Sequence, residues 1–268
     1  MSASLIRISA MVLRYFYLHK RSLPRTFEIF FWPVMELLVW GFVSQYLNTV
    51  SNGTLAKIAL SVINAMIFWD ILYRSQQGVS MSFIEDIWTQ NIVNVLVSPL
   101  MMWEWLVSTF IYGTLKSLTI TLILSCIALW LYHFSLIGSV HLYLIPFVFN
   151  LLLFGWVLGI FTSGLVIRWG HAAEALIWGI PFLIQPLSAI FYPLSTLPRA
   201  IQPVALLLPS THVFEGMRSL IQTGTISRRM FATALALNLV YFALAGLFFR
   251  MMYRKARVSG RLGRLGMD

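Results

Sequence analysis

Six long apolar stretches constrain this chain more than any other feature. About 20 apolar residues are needed for a helix to cross about 30 Å of hydrocarbon. Segments 27–47, 56–79, 103–132, 142–167, 173–191 and 230–252 all meet that requirement. Charged residues make up 10% of the chain and hydrophobic residues 59%, whereas soluble domains carry about 25% charged residues. A water-soluble fold has no means of hiding so much apolar surface. The expected class is therefore all-α: a polytopic membrane protein with six transmembrane helices, forming a single domain over 1–268. Backbone polar groups must be satisfied within lipid, and helices do this segment by segment.

The net charge of +10 comes from 19 Lys+Arg against 9 Asp+Glu. The cations gather at the two ends, with Arg7, Arg14, Lys20, Arg21 and Arg25 at one and Arg250, Arg254, Lys255, Arg257, Arg261 and Arg264 at the other. Anionic lipid and the positive-inside bias account for this placement better than nucleic acid does. Both termini are expected on the cytoplasmic side, which requires an even number of spans. The loops 48–55 and 133–141 carry no Lys or Arg, as expected outside, apart from Lys57 just beyond the first. The one cysteine, Cys126, sits in an apolar run and forms neither an intrachain disulfide nor a metal site alone. No cleavable signal is expected, because Arg7 and Arg14 interrupt the first apolar stretch.

Three segments between or beside the spans do not read as ordinary loops. Residues 1–25 have Arg7, Arg14 and Arg21 at seven-residue intervals and Leu5, Ile8, Val12, Tyr15 and Phe16 opposite. That pattern is an amphipathic helix lying in the membrane interface, with a basic topology signal as its plainer reading. Residues 82–100 carry Ile84, Trp88, Ile92, Val95 and Leu96 at helical spacing, with Asp86, Thr89, Gln90 and Asn94 on the other face. A short cytoplasmic surface helix is expected there, stopped at Ser98-Pro99; its acids suit a basic or polar groove on a soluble partner. Residues 192–225 are too apolar for a solvated loop and, with Pro193, Pro198, Pro203 and Pro209, too broken for a span. Short re-entrant helices fit both facts. Pro198 and Pro209 are each expected in a helix first turn, and Arg218 lies within one turn of Glu215.

The chemistry-bearing residues are few. Glu36 lies midway along the first span, and Asp70 and Arg74 are four apart on the second. Charges at such depth face a bundle interior or a wet cavity, and they serve either a translocation path or a helix-pinning contact. Aromatic side chains within spans, Phe182 among them, either line such a path or pack against lipid. Catalysis finds little support: Ser163-Gly164 lacks the glycine two residues before the serine, and an aspartyl dyad would need Glu36 beside Asp70. His171 and Glu174 are two potential ligands where zinc needs three or four. No lysine follows a glycine, so a P-loop is absent and any ATP hydrolysis belongs to another chain.

The order of parts, with "NVLVSPLMMWEW" (94–105) and "FYPLSTLPRAIQPVALLLPSTHVFEGMRSL" (191–220), resembles the type-2 ABC exporter permeases. These are membrane subunits of bacterial exporters for polysaccharides, drugs and lipids. The resemblance implies a multi-pass protein of the bacterial cytoplasmic membrane, acting as a homodimer with separate nucleotide-binding ATPase subunits that bind ATP and Mg²⁺. It implies a coupling helix at 82–100 whose ATPase-facing residues are Glu85, Asp86, Trp88, Gln90 and Asn91. Many relatives have a further acid where this chain has Asn91 and Asn94. It also implies a path lined by Glu36, Asp70, Arg74 and Phe182, with an external gate of Phe191, Tyr192, Pro193, Glu215 and Arg218. The substrate would be amphipathic: a lipid-linked glycan, a lipid or a hydrophobic drug. The alternative reading is an ion- or proton-coupled transporter or channel, a class that often shows internal repeats.

Overall fold

The computed structural model describes residues 3–136, 138, 143–225 and 227–259. Leu142, Arg261 and Arg264, and the side chains of Pro24, Arg25 and Leu96, lie outside that description. Among the described residues the regular structure is entirely helical. The main helices are α1 (Ala3–Lys20), α2 (Leu23–Val50), α3 (Ala56–Trp88), α4 (Ile92–Val97) and α5 (Met102–Tyr132). They are followed by α6 (Leu144–Trp169), α7 (Ala175–Leu187), α8 (Gln202–Leu206), α9 (Pro209–Thr223) and α10 (Arg228–Val258).

Five of these, α2, α3, α5, α6 and α10, are long and apolar enough to cross a membrane. They coincide with five of the six stretches expected from sequence. The remaining stretch, 173–191, forms only the 13-residue α7 with Pro181 and Pro186 inside it. At 1.5 Å per residue that helix is about 20 Å long, short of a full crossing. The chain leaves helical geometry after Ser188, and Ala189 takes a left-handed φ of 52°.

The centre of the bundle is α3, which packs against α2, α5 and α6 along its length and touches α7 and α9. Its surface is unusual for a helix of this length. Ser61, Asn64, Asp70, Ser75, Gln76, Gln77 and Ser80 are all buried among apolar neighbours. Polar groups removed from water must be bonded; here some bond within α3, as Arg74 to Asp70, and others bond to the surrounding helices. Ser75 donates to the Leu152 carbonyl on α6 at 3.0 Å, and Gln76 to the Ile177 carbonyl on α7 at 3.1 Å. From α5, Ser117 donates to the Ile71 carbonyl at 3.2 Å. Such bonds in membranes average about 0.6 kcal/mol each, so their main contribution is to fix rotation and register.

Small residues allow the backbones to meet. Gly78 on α3 faces Gly113 on α5, and Gly155 on α6 lies against α3. A Cβ at position 155 would sit 2.6 Å from both the Leu72 carbonyl oxygen and the Ser75 Cβ. This is the close approach that small residues permit between membrane helices.

The first departure from the sequence reading is the end of α3. It runs without interruption to Trp88, so Glu85 and Asp86 belong to the long helix and not to a separate surface helix. The break comes at Gln90, whose φ is 53°. Asn91 N–H bonds the Asp86 carbonyl at 2.8 Å and Gln90 N–H the Ile87 carbonyl at 2.9 Å, the two bonds of a Schellman cap. Glycine usually takes this left-handed position; with glutamine there, the stop leaves no sequence signal. The short α4 then ends at Ser98, whose hydroxyl donates to the Val95 carbonyl at 2.6 Å.

In the segment before α10, Pro209 does open α9 as expected, but Pro198 does not open a helix. Its carbonyl accepts Ile201 N–H at 2.8 Å and Gln202 N–H at 3.2 Å, closing a tight turn, and Pro203 occupies the first turn of α8 instead.

The packing at Gly155 leads to a paired test. Gly155→Ala is expected to force α3 and α6 apart, at a cost of about 1–3 kcal/mol. Gly246→Ala on α10, where an added Cβ meets nothing within 4 Å, is expected to be neutral or stabilising by about 0.5–1 kcal/mol. Thermal unfolding of the two purified variants in detergent checks both.

Candidate functional site

A cavity of about 660 Å³ opens between α2, α3, α5 and α7. The expected path residues Glu36, Arg74 and Phe182 all line it. Asp70 does not; it is buried behind Arg74 and accepts the Arg74 Nε–H at 3.1 Å. Asp70 therefore holds the guanidinium in place, and Arg74 also lies over the Tyr73 ring at 5.5 Å. Contacts missed from sequence complete the wall: Lys116 from α5, Gln77 from α3, Trp178 from α7, and Trp32 and Trp40 from α2. Lys116 was visible in the sequence as a lone cation in the middle of an apolar run.

Trp40, which lines the cavity, stacks its ring on Phe191, with centroids 4.6 Å apart and planes 18° apart. Phe191 belongs to a cluster that gathers all five residues expected at the gate. Tyr192 donates its hydroxyl to the Pro186 carbonyl at 2.6 Å. Pro193 precedes a turn whose Leu194 N–H is accepted by Glu215 at 2.9 Å. Arg218 pairs with Glu215 and donates to the Ala189 and Ile190 carbonyls at 2.8 and 3.0 Å. Those carbonyls lie just past the end of α7, where the helix no longer satisfies them. Burial pushes the Arg218 pKa down from its ordinary value, and the Glu215 charge opposes that shift.

The helix α1 covers the tips of α3 and α5. Ile8 and Tyr15 are buried, and Arg7 and Arg14 flank them one position earlier. The two arginines do not form a free basic face, as the interfacial helix expected from sequence would have them, but pair with carboxylates of α3 and α5. Arg7 forms a fork with Glu104, at 2.8 Å from Nε and 2.6 Å from Nη2. Arg14 pairs with Asp86. Trp105 donates its indole N–H to the Tyr15 hydroxyl at 2.8 Å. Burial lowers the Arg14 pKa, but the Asp86 hydrogen bond and charge outweigh it, and the net direction is up. The Glu104 hydrogen bond likewise raises Arg7, and burial pushes the Tyr15 phenol well above its usual value. The opposite face of α1, with Leu5, Ile6, Leu13 and Phe16, is exposed.

This arrangement divides the five residues expected to face an ATPase. Asp86 is 1% exposed, and Glu85 is also buried, with His19 Nε2 3.8 Å from its carboxylate. Asp86 is covered by α1, Glu85 lines the cavity beside His19, and neither forms an outward face. Trp88 is 41% exposed, Gln90 is exposed and Asn91 is half-buried, donating to Asp86 at 3.4 Å. Exposure continues through Val93, Asn94 and Val97, the last at 81%. Trp88 also donates to Glu174 at 3.2 Å, and Glu174 lies 3.4 Å from His171. The outward surface at this end thus runs from 88 to 99, beside the 170–174 turn. Ile84 and Ile92, placed with Trp88 on one stripe by their spacing, are buried.

No family model matches the chain, and no curated protein matches it.

The Arg14–Asp86 pair generates a prediction. Arg14→Ala leaves a buried carboxylate without its cation, a loss of about 3–5 kcal/mol for a buried pair. Asp86→Asn in the same chain is expected to restore much of that loss. Thermal unfolding and limited proteolysis within α1 measure both; equal instability of the single and double variants would contradict the pairing.

Proposed function

We propose that this chain is the membrane-spanning subunit of an ATP-driven exporter for amphipathic substrates, acting with a separate ATPase. The observation that carries this reading is the exposed corner at 88–99. It presents Trp88, Val93 and Val97 beside polar Gln90 and Asn94 at the end of the bundle where α1 lies. Apolar anchors within a polar rim are what a protein partner needs. The corner continues directly from α3, whose Tyr73, Arg74, Gln77 and Met81 line the cavity. Movement at the corner would therefore act on the cavity wall through one rigid helix.

On this reading the cavity is half of a path. Its α2 and α7 walls expose Trp32, Val39 and Phe182, and a second copy of the chain, related by a two-fold axis, would close that side. The Phe191–Trp40 stack and the Glu215–Arg218 cluster would be the outer gate, and both termini would lie in the bacterial cytoplasm. In the proposed topology, α7 with its following turn takes the place of the expected fifth span. The catalytic cycle of ATP and Mg²⁺ belongs wholly to the partner.

The test is capture. Expressed with candidate P-loop ATPases and purified in mild detergent, the chain is expected to retain one of them as a two-plus-two assembly by native mass. Trp88→Ala with Val93→Asp should reduce capture at least tenfold while the variant elutes and unfolds as the unaltered chain does. If no ATPase is retained across the plausible partners, an ion-coupled transporter becomes the better reading, with Glu36, Asp70 and Lys116 as its first targets.

A further inference from the structure

One ridge of α2 has a periodicity that the path reading does not use. Glu28, Trp32, Glu36 and Trp40 follow one another at four-residue steps, so they lie along one face of the helix. All four line the cavity. The ridge spans roughly 18 Å at 1.5 Å per residue. Tyr73, Trp178 and Phe182 line the same cavity from α3 and α7, and Tyr73 and Phe182 lie 6.1 Å apart by ring centroid.

The charges around this ridge do not balance locally. Asp70 holds Arg74 at 3.1 Å, and Arg74 occupies the face of Tyr73. His19 stands beside Glu85. Lys116 is set among Arg74, Glu85, Glu28 and Asp70, while Glu36 is set among Asp70 and Arg74 only. Among the described residues, Glu36 accepts no hydrogen bond and has no cation within 4.0 Å. This half-buried carboxylate has a tryptophan one turn on either side and no ion-pair partner among the described residues, and the cation that acts on it, Arg74, is already held by Asp70. Tryptophan faces attract cations by about 0.5–2 kcal/mol each, more where water is excluded. A delocalised cation with apolar substituents meets all three conditions at once: it neutralises Glu36, stacks on Trp32 and on the Trp40 face that Phe191 leaves free, and fills an apolar wall. The cavity volume falls within the range of small-molecule sites.

We propose that the Glu28–Trp32–Glu36–Trp40 ridge is a binding site for lipophilic organic cations, with Glu36 as the counter-ion and Trp32 and Trp40 as the aromatic faces. The inference rests on the transport reading for its role as a substrate site, but the binding itself does not need an ATPase.

The experiment uses the full chain in nanodiscs of neutral lipid, without any ATPase. Radiolabelled tetraphenylphosphonium is the probe, and tetraphenylborate is the anion of nearly the same shape. The cation should bind saturably and the anion at least tenfold more weakly. Glu36→Gln should weaken the cation at least tenfold with an unchanged melting temperature. Trp32→Leu, at a position 62% exposed and so tolerant of change, should weaken it severalfold. Arg168→Gln, outside the cavity lining, should leave binding unchanged. Absence of saturable binding by the folded chain would overturn the inference, as would equal binding by Glu36→Gln. Preference for tetraphenylborate would overturn it too, and would point to Lys116 and Arg74 as an anion site. Cation binding by a chain that captures no ATPase would leave this inference standing and remove the exporter reading.

Discussion

The architecture depends on burying a polar helix. α3 carries carboxylates, a guanidinium, amides and hydroxyls through the middle of the bundle, where each must find a partner or be strongly penalised. Asp70 and Arg74 find each other within α3, and other partners come from the neighbouring helices: Leu152 for Ser75, Ile177 for Gln76, Ser117 for the Ile71 carbonyl. A helix bound on several sides by directional contacts cannot rotate or slip without breaking several of them. The glycines at 78, 113 and 155 make these contacts possible by bringing the backbones close.

The same helix explains why its two ends differ. In the middle, Asp70 turns Arg74 toward the cavity, so a charge pair that could have been only structural also shapes a wall. At the end, Asp86 and Glu85 would be exposed acids if α1 were absent. α1 brings Arg14 and His19 to them, and Arg7 to Glu104 on α5. The N-terminal helix is therefore a clamp over the ends of α3 and α5, with its apolar side turned outward. A partner approaching this end would meet α1, the 88–99 corner and the 170–174 turn together, and could shift the clamp as well as the corner.

Much of this was legible in the sequence. Apolar runs of the right length located α2, α3, α5, α6 and α10, because span length is set by helix rise and needs no tertiary information. Glu215–Arg218 and Pro209 were readable for the same local reason. What failed was long-range or silent. The Schellman stop at Gln90 has no glycine to announce it, so the spacing from Ile84 to Leu96 reads as one stripe across a break. The arginine heptad of α1 reads as the polar face of an interfacial helix, because nothing local shows that Asp86 and Glu104, at least 72 residues away, lie beneath it. The 173–191 run is apolar enough to span, but Pro181 and Pro186 and the turn at Ala189 shorten its helix. The Glu–Trp–Glu–Trp ridge has helical spacing in the sequence, but it mixes charged and aromatic residues and so leaves no apolar periodicity.

The central claim is that α3 stays buried to Ile87 and that the outward surface begins at Trp88. Thiol accessibility measures this directly. In a chain with Cys126→Ser, single cysteines at Ser82, Ile84, Ile87, Trp88, Val93 and Val97 are reacted with a maleimide admitted to both sides of the membrane. Slow labelling at 82, 84 and 87, with rates at least tenfold higher at 88, 93 and 97, is the expected pattern. Rates that alternate with helical period from 82 onward would instead mean a free surface helix across the whole segment, and would contradict the clamp formed by α1.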